Sequence, residues 1–551
     1  MMRKGTVLSV VLPGLLSVLG YAQAAVPFVS LFPALHARAP DGPQFGVTVN
    51  GTDLLSNSVG NRNGSSLATQ FTGGSQLAVI GSSMKITARS PVPRALVRPA
   101  LGRTQISNFQ HVVVIVQENR TPDNLFQGLC GSDGTLCPTP YNLQNFGIDN
   151  RGNEIPLTEE PLGYAYDPSH THSAFVAQCH LNPITNQCGM DGLSSANCGT
   201  DPKKNKCSFE YVDPTDVQPY LTMAQQYGWA NYMFQTNQGP SFPAHQFIFG
   251  GTSAPDADSD SQGVFASENA KHASGCAAPA GTTVQLIRPP GVEKKRETIF
   301  PCFDHNTIPD ILPLGITWRY YAAGPNNVWT APNAIESICG AEHGKCQGWE
   351  WVNDVDVRAK DVLTDIRNCH LRDVTWVTPT GVNSDHPGYN NNGGPSWVAQ
   401  IVNAIGQSWQ YSQGGGVCDY WGANQSGNET AIFVTWDDWG GFYDHEPPTI
   451  LTQPEGDYQY GFRVPLLVVS AYTPTYVSNN PYDFGSILRF IEQNYGVAEG
   501  ILTFADQRAA NDLTDFFDLQ GSPRQFDPIS APLGLKYFLE DNEPQTAPDD
   551  Y

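Results

Sequence analysis

The sequence predicts an α/β fold, with its leading strand in the middle of a parallel sheet and with disulfide-stapled loop insertions. Three observations point there. Val112 to Val116 is an unbroken run of five β-branched apolar residues, the pattern of a strand buried on both faces. Four further short apolar runs, at 316–321, 373–378, 431–435 and 464–470, have the same character. Segments with helical spacing fall between or after them, including 220–229 and 482–495, and strands alternating with helices build such a sheet.

Taken in order, the chain opens with Arg3 and Lys4, an apolar stretch from Val7 to Leu19, and Ala22-Gln23-Ala24 as a small-residue cleavage site. Residues 1–24 therefore read as a secretory signal, and a secreted or periplasmic location is expected. Without the signal the formal net charge moves from −23 to −25, because two cations and no anions leave. Such acidity argues against nucleic acid or an anionic membrane as a partner held by bulk charge. No run is long enough for a stable membrane anchor. Residues 25–106 are rich in Gly, Ser, Asn and Pro and read as an extension, with possible short strands at 45–50 and 76–81. A globular domain is expected over 107–525, with a tail at 526–551.

All twelve cysteines follow the signal. An even count in an exported chain favours disulfides. A zinc cluster competes, but the sequence has no CxxC pair, and Cys130–Cys137 and Cys339–Cys346 are the most local candidate bridges. The region 130–207 reads as an irregular stapled insertion, and 253–300 as polar loop. Asn50, Asn63, Asn119, Asn424 and Asn428 stand in glycosylation sequons.

Three constellations carry chemistry besides the first run. Glu118 and Asn119 follow that run directly, at the sheet edge where α/β proteins bind ligands. Both offer oxygen to a hard divalent cation, and both equally suit a helix cap. Asp437 and Asp438 follow the run at 431–435 in the same way, and adjacent carboxylates repel unless a cation neutralises them. Ser241 opens a possible helix behind Gly239-Pro240, with His245 four residues on, and reads either as a nucleophile or as a cap. His386 lies in a polar loop after the run at 373–378.

Glu118-Asn-Arg, Gly239-Pro-Ser, His386-Pro, Asp437-Asp-Trp-Gly-Gly-Phe-Tyr-Asp-His, Gly461-Phe-Arg-Val-Pro and Ser486-Ile-Leu-Arg-Phe-Ile-Glu occur in one order. That order resembles the bacterial phosphoesterase family of phospholipases C and acid phosphatases, over roughly residues 107 to 500. The resemblance implies an alkaline-phosphatase-like fold, with a central, mostly parallel β-sheet between helical layers. It also implies a divalent metal held by Glu118, Asn119, Ser241, Asp437 and Asp438, with Ser241 also the nucleophile. His170 and His386 match active-site histidines, and His445 lies in the matching Asp-His pair.

The sequence departs from the family where Phe484 follows Asp483 in place of the usual His, and where Asp438 replaces the usual Glu. Larger family members carry added C-terminal β-domains, whereas this chain stops soon after the helix near Tyr495. Together with the acidity, this favours a phosphatase-like member hydrolysing phosphate esters through a phosphoserine. Monoesters or small diesters are expected to react better than phosphatidylcholine in vesicles. A phospholipase C is the alternative, with Trp436 and Trp439 available to an interface or a choline group. A non-catalytic exported binding protein on the same fold is the contrasting class.

Overall fold

The structure is a computed structural model of the 551-residue chain. It describes residues 109–542 except 131–136, 138–139, 165–166, 186, 197, 199–205, 268–274, 290–291, 390–392, 415, 423–428, 452–457 and 510, together with four short strands before them. The chain divides into two units, Met1–Arg98 with Pro313–Gly315, and the remainder. The first has two antiparallel pairs, Leu8–Val10 with Leu77–Val79 and Thr48–Val49 with Thr52–Asp53. The strands Thr48–Val49 and Leu77–Val79 fall inside the two runs read as short strands. The rest of the expected extension lies outside the described residues.

The second unit is built on an eight-stranded sheet. Its strands in chain order are β1 (His111–Gln117), β2 (Gly228–Phe234), β3 (Trp318–Tyr321), β4 (Val355–Asp356), β5 (Val374–Val377), β6 (Thr430–Trp436), β7 (Leu466–Val469) and β8 (Tyr476–Asp483). In space they run β4-β3-β5-β1-β6-β7-β2-β8. β7 pairs antiparallel with both neighbours, and every other pairing is parallel. All seven residues of β1 and all seven of β6 are buried, as strands in mid-sheet must be. Each fully buried valine or phenylalanine here stabilises the fold by about 1.5–3 kcal/mol.

The helices flank this sheet on both faces. Phe433 of β6 meets Phe490 of helix α6 (Phe484–Tyr495), with ring centroids 5.0 Å apart. Trp436, three residues on and so on the other face, meets Tyr220 of α3 (Gln218–Gln226), also at 5.0 Å. Helix α4 (Ser241–Gly250) packs with α6, and α5 (Gly393–Gly406) with α3. Residues 526–542, expected as a tail, lie against α5: Asn403 Nδ2 donates to Ile529 O, and Phe538 packs on Trp397.

Several boundaries differ from expectation. The helix expected over 220–229 ends at Gln226, where Gly228 starts β2 and Trp229 enters the sheet. The helix expected over 482–495 begins at Phe484. Tyr482 and Asp483 close β8, and the Asp483 side chain caps the helix by accepting from the Ser486 N–H. The polar region 253–300 contains a three-stranded antiparallel sheet, Phe265–Ala266, Val284–Arg288 and Val292–Ile299. All twelve cysteines are paired, so the zinc alternative falls. The bridges are Cys130–Cys137, Cys179–Cys188, Cys198–Cys207, Cys276–Cys302, Cys339–Cys346 and Cys369–Cys418.

Candidate metal centre

The register of β1 and β6 sets the site. Gln117 pairs with Trp436, so Glu118 and Asp437 leave the sheet side by side. Asp437 N–H donates to Gln117 O at 3.0 Å. Asn119 then turns into the left-handed region, φ 65°, which Asn tolerates better than most residues. The turn after β6 folds back over it. A side chain at Gly440 would strike Asn119 O at 2.1 Å, so this approach requires glycine. β2 runs parallel to β1, and its continuation delivers Ser241 to the same edge as the first residue of α4.

Four oxygen donors converge. Ser241 Oγ lies 3.4 Å from Glu118 Oε2, 3.5 Å from Asn119 Oδ1 and 3.3 Å from Asp438 Oδ2. Asp437 Oδ1 accepts the backbone N–H groups of Asn119 at 2.9 Å and Asp438 at 2.7 Å. Its Oδ2, buried, has no hydrogen-bond partner. Glu118, Asn119, Asp437 and Asp438 are fully buried, and Ser241 is 1% exposed. Pro240 is the residue flanking α4, and no side chain caps it. The helix-cap alternative for Ser241 therefore fails. A glycan on Asn119 is excluded by the same burial.

The histidines decide how the Asn119 amide is turned. His170 Nδ1 lies 2.8 Å from Pro168 O, and His386 Nδ1 lies 2.6 Å from Pro387 O. A carbonyl only accepts, so both Nδ1 atoms carry hydrogen. Burial pushes the His386 pKa down to about 4, so this ring is neutral near pH 7 and its Nε2 is an acceptor. One end of the Asn119 amide lies 2.8 Å from His170 Nε2 and 3.0 Å from His386 Nε2. That end must be the NH2 group. The amide oxygen consequently faces Glu118 Oε2 at 3.3 Å and Asp437 Oδ1 at 3.0 Å.

An amide oxygen, a hydroxyl and three carboxylates facing one another out of water are costly by several kcal/mol per uncompensated charge. A hard divalent cation removes that cost. The donors present fit such an ion: Glu118, Asn119, Ser241, Asp437 and Asp438.

His245, on the same face of α4 as Ser241 by its i+4 spacing, places Nε2 3.0 Å from Glu118 Oε1 and 3.7 Å from Asp437 Oδ2. Burial pushes its pKa down to about 4, against the pull of Asp437. The i+4 spacing was its sequence signal. Asp385 had none. Its Oδ2 accepts from Tyr220 Oη at 2.7 Å, Trp436 Nε1 at 3.1 Å and Gln117 Nε2 at 3.3 Å, tying the His386 loop to both central strands.

His445 is held elsewhere. Its Nδ1 lies 2.7 Å from Asp123 Oδ2 and its Nε2 3.0 Å from Asn142 Oδ1. Asp123 and Asp444 also face the buried Arg463, at 3.5 and 2.9 Å. This ionic network fastens the turns after β1 and β6, where Thr121 Oγ1 donates to Tyr443 O at 2.7 Å.

A serine among buried oxygen donors that could hold a hard cation thus lies at the carboxyl edge of a mostly parallel sheet. The Phosphoesterase family model matches residues 109–498, and the chain belongs to that family. The non-hemolytic phospholipase C of Pseudomonas aeruginosa is 24% identical to it, over 78% of this chain and 60% of that one. The non-hemolytic phospholipase C of Burkholderia pseudomallei is 30% identical, over 83% and 65%. Phospholipase C B of Mycobacterium tuberculosis is 28% identical, over 77% and 80%. The chain thus spans about three-fifths of the Pseudomonas relative and somewhat more of the other two. A solved alkaline-phosphatase-superfamily structure from Vibrio parahaemolyticus aligns over 74% of this chain and 70% of that one, at 11% identity and a TM-score of 0.31.

Proposed function

We propose that the protein is an exported, metal-dependent phosphoesterase that works through a phosphoserine at Ser241. One observation carries the reading: Ser241 Oγ sits within 3.5 Å of Glu118, Asn119 and Asp438 oxygens. A bound divalent ion would lower the pKa of the serine hydroxyl and neutralise charge on the phosphoryl oxygens.

The rest falls to the chain. Ser241 gives its proton to Glu118 or Asp438, both within hydrogen-bond reach, and attacks phosphorus. His386 and His170 have their rings oriented by carbonyls and their Nε2 atoms turned toward Asn119. A phosphate anion beside an imidazole favours its protonated form, so either ring can protonate the departing oxygen. The same nitrogen then takes a proton from the water that cleaves the phosphoserine, and the departing Ser241 Oγ recovers its proton from Glu118 or Asp438. Asp385 and Asn119 keep the rings in place.

For the substrate, the names of the relatives above favour a phospholipid headgroup ester. The burial of Ser241, Asp437 and Asp438 favours the second reading, a small soluble monoester. The test is turnover of p-nitrophenyl phosphate and p-nitrophenylphosphorylcholine with and without chelator. Absence of turnover on any phosphate ester would move the reading to a binding protein.

A further inference from the structure

Among the described residues ten large hydrophobics are exposed, and three of them fall within nine residues of one another: Val176 at 52%, Leu181 at 46% and Ile184 at 92%. Single exposed apolar residues need no explanation, but these three are carried by one short stretch of chain. These three lie on α2 (His172–Cys179) and the hairpin that follows, in which Leu181–Asn182 pairs with Gln187–Cys188. Residues 180–185 are all exposed.

The projection is held rigid. Cys179–Cys188 closes its base. Asn182 Oδ1 accepts the N–H groups of Ile184 at 2.9 Å and Thr185 at 3.3 Å, fixing the turn that carries Ile184 into solvent. Below the staple, Phe175, Cys179, Cys188 and Met190 pack against Trp439 and Phe462. The helix begins two residues after His170, so the tip and an active-site histidine belong to one continuous piece of chain.

We infer that this tip inserts into a zwitterionic phospholipid surface and presents lipid to the site; the inference rests on the phospholipid reading above. Charge selects the occupant. Residues 168–192 contain no Lys or Arg and one carboxylate, Asp191, which His180 Nδ1 meets at 2.7 Å. On a chain of formal net charge −23 the tip is a neutral island. An anionic bilayer would repel its surroundings, whereas a phosphatidylcholine bilayer exerts no such force. The contact is interfacial, since among the described residues no helix is long and apolar enough to cross a membrane.

The test is sedimentation of the full chain with phosphatidylcholine vesicles, alongside turnover on vesicles and on p-nitrophenylphosphorylcholine. Leu181→Ser with Ile184→Ser should lower vesicle partition by about 100-fold, since a buried aliphatic side chain is worth roughly tenfold or more. Vesicle turnover should fall with it, and turnover of the soluble ester should not change. Ile148→Ser, exposed elsewhere, should change neither. Ile184→Trp should bind at least as well, with a blue-shifted emission on vesicles. Unchanged partition in the double variant, or an emission that does not shift, overturns the proposal. So does a double variant that alters only oligomeric state, which would assign the tip to a second copy. A wild-type protein that binds vesicles through the tip but hydrolyses no ester would sink the enzyme reading and leave the tip standing.

Discussion

The backbone N–H of Asn119 donates to Asp437 Oδ1 at 2.9 Å, across two strands more than three hundred residues apart in the chain. This bond fastens the two strand ends that carry the oxygen cluster, and it uses a carboxylate whose other oxygen has no hydrogen-bond partner and lies 3.7 Å from His245 Nε2. Asp437 therefore both builds the site and leaves a charge for a cation.

Asp437→Asn keeps the shape and removes the charge. Metal affinity should fall by at least about tenfold, the size of effect that even indirect partners of a metal show. The bound ion is counted by elemental analysis after dialysis. Full metal content in the variant would refute the assignment.

Chelation should act on stability as well as turnover. With the ion removed, Glu118, Asp437 and Asp438 repel one another in a buried space, and Tm should drop. Added divalent ion should restore both by mass action. A Tm indifferent to chelator would mean that the oxygen cluster is satisfied without metal.

His445 is expected to serve stability and not chemistry. Burial disfavours its charged form, but the charge of Asp123 and its hydrogen bond outweigh that, and the pKa is raised. A raised histidine stabilises the fold fully below its unfolded pKa of about 6.5, and that contribution is lost as pH rises through the folded value. His445→Gln should thus lower Tm more at about pH 5.5 than at about pH 9, with turnover changed little. A large loss of turnover with an unchanged Tm would return His445 to the active site.

The central strands were legible because full burial leaves an unbroken apolar run. The expected 431–435 lies inside Thr430–Trp436, and the run at Val112–Val116 lies inside His111–Gln117. β2 and β8 were not legible. Gly228–Phe234 contains Asn231, and β8 is an edge strand carrying Asn479, Asn480 and Pro481, a sequence that edges tolerate and interiors do not. The candidate oxygen ligands Glu118, Asn119, Asp437 and Asp438 were readable as polar residues placed directly after such runs, Ser241 was read from its Gly-Pro-Ser turn and from family resemblance, and the structure brings the five together. His170 came from family resemblance, His386 from its polar loop after the run at 373–378 as well as from that resemblance, and both meet Asn119. His445 came from the same resemblance, as part of the matching Asp-His pair. Its actual partner, Asp123, sits beside Arg463, contacts that no local pattern reveals. Asp385 depends likewise on Tyr220 and Trp436.

Substrate choice separates the two readings of the pocket. Specificity constants for p-nitrophenyl phosphate and for vesicle phosphatidylcholine should favour the lipid. A higher value on the soluble monoester would restore the phosphatase-like expectation and leave the shared chemistry intact.

The phosphoserine is the central claim, and trapping it tests that claim most directly. Acid-quenched enzyme, mixed with excess p-nitrophenyl phosphate, should carry one phosphoryl group in intact-mass spectra, mapped to the peptide containing Ser241. Ser241→Ala should show no adduct, a Tm close to wild type because Pro240 and not Ser241 flanks the helix, and turnover lower by several orders of magnitude. Undiminished turnover in Ser241→Ala, or an adduct mapped to another residue, would contradict the account.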